Sequence, residues 1–217
     1  MDYTKIDEDY ARQDAEKRCK IMAPKLTALC VCTIVGFVLT ILSFFVGIIC
    51  GILRTDTTGP VIVMVALIVV NALIFGINII LMRDVDDRFQ TAGIFYIIYY
   101  ILSNAMDLIF DQNIVGSTFN IIGAILGLIY ITNFTSAMSD SLWHINNALA
   151  DNWMTFKKVF FGLLIASLAC VVLAFIPIIN ILAAIALVII AIGLIGVGIW
   201  QLVLLFMSAG AVRNYLK

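Results

Sequence analysis

The sequence predicts an all-α integral membrane protein, a single bundle of six transmembrane helices with both termini in the cytoplasm. Three observations carry that reading. The 217 residues are 63% hydrophobic and only 12% charged, far from the quarter charged that soluble domains carry. Six apolar stretches each approach the ~20 residues that a helix needs to cross a ~30 Å hydrocarbon core. Finally, twelve of the thirteen Lys and Arg residues fall on one side when those stretches are threaded alternately, as the positive-inside rule requires.

Residues 1–26 form a polar N-terminal segment of mixed charge, "MDYTKIDEDYARQDAEKRCKIMAPKL". No apolar core follows a short basic start, so it does not read as a cleavable signal peptide. The transmembrane domain occupies 27–217, with spans at about 27–53, 60–82, 92–110, 114–136, 159–177 and 180–208. The last two are one uncharged run, broken at Pro177 and Asn180 in "FIPIIN", because proline disfavours helix at the residue before it. Lys5 to Lys25, Arg83, Arg88, Lys157, Lys158, Arg213 and Lys217 then lie in the cytoplasm, and only Arg54 lies outside. This orientation suits a multi-pass protein of the plasma membrane.

The outer connections, "RTDTTG", "DQN" and "PIIN", are short, whereas the inner ones are richer. In the longest, Leu142, Ile145, Leu149, Trp153 and Phe156 recur at helical spacing. That pattern predicts an amphipathic helix over about 140–156, lying on the cytoplasmic membrane surface with its tryptophans at headgroup level. It is either an interfacial anchor or the docking surface for a partner subunit, membrane or cytoplasmic.

Small residues every fourth position mark faces where helices approach closely in lipid. Span 1 carries Ala28, Cys32, Gly36 and Thr40, and span 5 carries Gly162, Ala166, Cys170 and Ala174. The expectation is that both helices pack tightly, on each other or on a partner subunit.

Polar residues inside spans are costly and therefore mark sites. In "AGIFYIIYYILSNAMDLIFDQ", Tyr96, Tyr100, Asn104, Asp107 and Asp111 share one helix face. Asn104 and Asp107, with Ser117 and Asn120 on the returning helix and Tyr100 below, are the candidate ligand-binding residues of an outward-facing pocket. Asn71, Asn78, Asn133, Asn180 and Gln201 complete the intramembrane polar set.

Enzymatic chemistry has little to stand on. His144 is the one histidine, and no Walker loop, nucleophile elbow or HExxH occurs. Asp84, Asp86 and Asp87 alternate with Arg83 and Arg88 as a charge-balanced turn. The five cysteines have no metal-ligand spacing, so no catalytic residue, metal or cofactor is expected. No basic groove with interleaved aromatics is present, so nucleic acid is not an expected partner; the lipid bilayer is. Six spans, this length and cytoplasmic termini are similar in architecture to vitamin-uptake S-components and small ABC permeases. The expected role is a transport component, a substrate-binding or permease subunit lacking its own energy-coupling domain. The alternative is a non-transporting scaffold or accessory subunit that packs against other membrane proteins through its small-residue faces.

Overall fold

The computed structural model describes residues 3–53, 58–109, 114–173, 176 and 180–217, excluding the side chains of 3–9, 47, 50–53, 58, 60, 61, 103–109 and 114–121. Among the described residues there are six helices and no strand. They are α1 (Tyr3–Leu53), α2 (Thr58–Ile80), α3 (Arg88–Ile109), α4 (Ile114–Leu142), α5 (Asn147–Leu173) and α6 (Asn180–Tyr215). Five of them, all but α3, contain stretches long and apolar enough to cross a membrane.

Each helix packs on its neighbours in sequence, and α1 packs on α6, so the six close into a ring. The expected pairing of the two small-residue faces is not among these contacts, which join α1 to α2 and α6, and α5 to α4 and α6. On α1 the stripe does face inward in part, at Cys32 and Gly36, while Thr40 is exposed and donates to the Gly36 carbonyl at 2.9 Å. On α5 Gly162 and Ala166 are exposed, and Ala174 lies outside the described residues. The closest approach in the ring uses other glycines. A Cβ on Gly93 of α3 would sit 2.7 Å from the Gly76 carbonyl of α2, so neither helix could come this near with a larger residue there.

At one end the helices run well past their apolar stretches. With 51 residues, α1 is roughly 77 Å long at 1.5 Å per residue, more than twice a bilayer core. The polar N-terminal segment is thus helical and continuous with the first apolar stretch, through Pro24. Its sequence is rich in Ala, Glu, Lys and Arg, strong helix formers. Packing covers its apolar side, where Ala15, Cys19 and Met22 are buried.

Between α4 and α5 the structure has a tight turn where a separate surface helix over 140–156 was expected. Residue His144 takes a left-handed conformation, φ 68°, which ends α4 just after Leu142. The Asn146 side chain then accepts from the Leu149 N–H at 3.1 Å, an N-cap for α5. Asn147 accepts from the His144 N–H at 2.8 Å and closes the turn. The apolar face of 142–156 is real, but protein covers it: Leu142, Leu149, Trp153 and Phe156 are buried in the bundle core.

Two arginines and three aspartates fasten this charged end. The Arg88 guanidinium bridges Asp86 in the α2–α3 turn and Asp140 on α4. From α1, Arg18 pairs with Asp14 at 3.0 Å and donates to the Asp140 and Ser141 carbonyls at 3.1 and 3.3 Å. Those carbonyls belong to the last turn of α4, where helical N–H partners run out; the Asp140 carbonyl also accepts from the Trp143 N–H at 3.3 Å. Burial opposes the Asp86 carboxylate, yet hydrogen bonds from the Arg88 side chain and backbone, with its charge, hold its pKa below the usual carboxylate range.

Candidate functional site

Inside the ring lies a cavity of about 250 Å³ to which all six helices contribute. Its walls are largely aromatic. The rings of Phe75 (α2), Tyr96 (α3), Tyr130 and Phe134 (α4) and Trp153 (α5) follow one another with centroids 4.8, 4.9, 5.6 and 5.7 Å apart. Tyr100 joins from α3, its ring 5.5 Å from that of Tyr96. These separations are the edge-to-face and tilted arrangements that aromatic quadrupoles favour. Trp153 is held by its indole N–H, which donates to Ser208 of α6 at 2.9 Å.

Polar groups enter from α2 and α6, the two neighbours of α1 in the ring. On α2, Asn71 donates through Nδ2 to the Cys32 carbonyl of α1 at 3.0 Å. Gly36 permits this reach, since a Cβ there would press on the amide at 3.0 Å. On α6, Gln201 donates through Nε2 to the Tyr130 hydroxyl at a long 3.5 Å. The carbonyl oxygens of both amides, and the Tyr96 hydroxyl, have no protein hydrogen-bond partner among the described residues. Asn71, Gln201 and Tyr96 thus line the cavity with acceptor capacity that no described residue uses. None of the described residues lining it is Asp, Glu, Lys, Arg or His.

The two ends of the cavity differ. Towards the charged end a dense core seals it, with Leu29, Ile79, Met82, Phe89, Met138 and Leu204 buried. Towards the other end, among the described residues, Leu39, Met64 and Ile68 are half-buried and Ala183 and Gly123 are buried.

Of the residues expected to form a ligand pocket, Tyr100 lines this cavity. Asn104 and Asp107 belong to α3, and Ser117 and Asn120 to α4, but their side chains lie outside the described residues. The stripe on span 3 thus points into the bundle at its tyrosine end. Asn71 and Gln201, present in the intramembrane inventory but not assigned to a pocket, are the amides that meet there. Their signal was a polar residue in an apolar run; nothing in one chain says which such residues converge. Asn78 and Asn133, similar by that criterion, satisfy themselves by donating to Ile74 and Ile129 carbonyls one turn back, each at 2.8 Å.

Cys32 also lines the cavity. By contrast Cys19, packed in the polar extension of α1, is fully buried, and burial pushes its thiol pKa up to about 11. No protein-family model, curated protein or solved structure matches this chain. The meaning of the site rests on its own geometry.

Proposed function

We propose that this chain is a six-span plasma-membrane protein, its charged end in the cytoplasm, that acts as a transport component binding a small neutral solute in the central cavity. The observation that carries this reading is the cavity itself, with the unpartnered carbonyl oxygens of Asn71 and Gln201 among aromatic walls. On α1, α2, α3 and α6 the lining residues begin seven or eight positions inward of Lys25, Arg83, Arg88 and Arg213. At 1.5 Å per residue the lining begins roughly 10–12 Å deep and, at Asn71, Tyr100 and Gln201, twelve positions inward, reaches about 18 Å, close to the middle of a ~30 Å core. Transporter substrate sites lie at that depth. A charged solute would meet no counter-charge there and would bear a large desolvation cost. A neutral solute with one or two donor groups and a flat apolar part suits the lining.

Native mass spectrometry of protein released gently from its membranes tests this. Wild type is expected to carry a non-covalent small molecule that a folded Asn71→Leu, Gln201→Leu double variant lacks. Neither protein carrying one, or both retaining it equally, would count against a solute site. A second reading, an accessory subunit that packs against another membrane protein, is favoured by the exposed Gly162 and Ala166 face of α5. Nothing lies within 4 Å of a Cβ built on Gly162, leaving room for a partner helix.

A further inference from the structure

We infer that the seam between α1 and α6 is a binding site for one anionic phospholipid, its phosphate on Arg213 and an acyl chain in the groove below. The site is independent of what fills the central cavity and rests only on the reading that these helices cross a bilayer. A groove of about 320 Å³ runs along the outside of the seam. On α6 it follows Arg213, Gly210, Ala209 and Phe206, and on α1 it follows Thr27, Cys30, Val31 and Ile34. Both series follow the i, i+3, i+4, i+7 pattern, so each is one helix face two turns long. One end of the groove is basic and the rest is nearly all apolar.

The basic end is specific in two ways. Arg213 is exposed and donates to Thr27 Oγ1 at 3.0 Å, while Thr27 itself donates to the Ala23 carbonyl at 2.8 Å. The guanidinium is thereby oriented across the seam with four of its five N–H groups unused. Among the described residues no carboxylate pairs with it, although Arg18, Lys20, Arg83 and Arg88 at the same end all have acidic partners. An oriented, uncompensated guanidinium at the boundary between polar and apolar helix suits a phosphate, which it can bind through two parallel hydrogen bonds. The apolar end is open where it needs to be. A Cβ on Gly210 would meet nothing within 4 Å, so glycine here leaves the groove floor low. Free phosphate would use the arginine alone and have no use for the groove below it.

Native mass spectrometry from mixed micelles containing equal phosphatidylglycerol and phosphatidylcholine tests the assignment. Wild type is expected to retain phosphatidylglycerol at least fivefold over phosphatidylcholine. Arg213→Gln should abolish the preference, and Gly210→Leu, which fills the groove without touching the charge, should weaken retention at least threefold. Arg83→Gln, a cation at the same end but outside the groove, should change neither. Each variant's melting temperature shows separately whether it folds, and incorporation into nanodiscs shows separately whether the bundle enters a bilayer. Equal retention of the two lipids by wild type overturns the inference, as does a preference unchanged in Arg213→Gln or retention unchanged in Gly210→Leu. Displacement of phosphatidylglycerol by millimolar inorganic phosphate would assign the arginine to a soluble anion and overturn it as well.

Discussion

At the scale of single residues, the two classes of glycine in this chain should respond oppositely to the same substitution. At Gly93 an added methyl would meet the Gly76 carbonyl at 2.7 Å and the Ile80 backbone nitrogen at 3.0 Å. Backbone cannot yield as a flexible side chain can, so Gly93→Ala should cost about 1–3 kcal/mol by overpacking. At exposed Gly162, with open space around it, alanine should be neutral or stabilise by up to ~1 kcal/mol through helix propensity. Denaturant unfolding of the two variants in the same detergent checks the contrast, and equal effects would contradict it. The small-residue spacing at Gly162 and Ala166 was visible in the sequence, whereas Gly76 and Gly93 were not singled out. Spacing reveals where a helix can be approached; whether another helix arrives is settled by the neighbours.

Among elements, the α4–α5 turn and the α2–α3 turn do most to define the charged end. Asn146→Ala removes the side-chain acceptor for the Leu149 N–H and should cost about 1 kcal/mol, the usual value of an N-cap. Thermal unfolding of that variant checks it. The α2–α3 turn should show itself in acid. Asp86 has its pKa depressed in the folded protein by Arg88, so the folded state favours the carboxylate more than the unfolded chain does. The sign follows from linkage: this stability is fully present above the unfolded value of ~3.9 and is lost as pH falls through the lower folded value. Asp86→Asn should therefore lower stability at neutral pH and flatten its decline below about pH 4, as read from melting temperature against pH. A variant whose acid profile ran parallel to wild type would refute that role for Asp86.

The same two turns show what sequence could and could not disclose about elements. Apolar length located all six helices, and Asn180 begins α6 where the Pro177 and Asn180 break put it. Helix ends at the charged side lie well beyond the expected spans: α1 starts at Tyr3 rather than near 27, and α5 at Asn147 rather than near 159. Beyond the hydrocarbon region, hydropathy no longer marks helix, and charged residues with good helix propensity continue it. The periodic face Leu142, Leu149, Trp153 and Phe156 announced that something covers it. Membrane and protein core are equally apolar, so the pattern could not say which. The left-handed His144 and the capping Asn146 decide it, and "HINN" carried that turn signal.

For the whole molecule, a ring of six helices with a dense core at its charged end frames a cavity whose described lining carries no charged residue. The candidate site was legible as a set of intramembrane polar residues, and Tyr96 and Tyr100, the described part of the stripe, line the cavity. Convergence of Asn71 with Gln201 was not legible, because it depends on α1 meeting α6 to close the ring. That closure also gives the chain a natural internal reporter. Cys32 lines the cavity and is 7% exposed, whereas Cys19 is 0% exposed.

The most direct measurement is the rate of thiol modification in proteins that keep a single cysteine, the other four changed to serine. Neutral methyl methanethiosulfonate is itself a solute of the size and charge proposed, and its anionic sulfonatoethyl analogue is not. A cavity reached by small neutral solutes predicts that Cys32 reacts with the neutral reagent at least tenfold faster than with the anionic one, after correction for their rates with a free thiol. It also predicts that Cys19 stays unmodified over the same interval. A Cys32 as inert as Cys19, or one modified equally well by both reagents, would contradict a neutral solute site in the centre of the bundle.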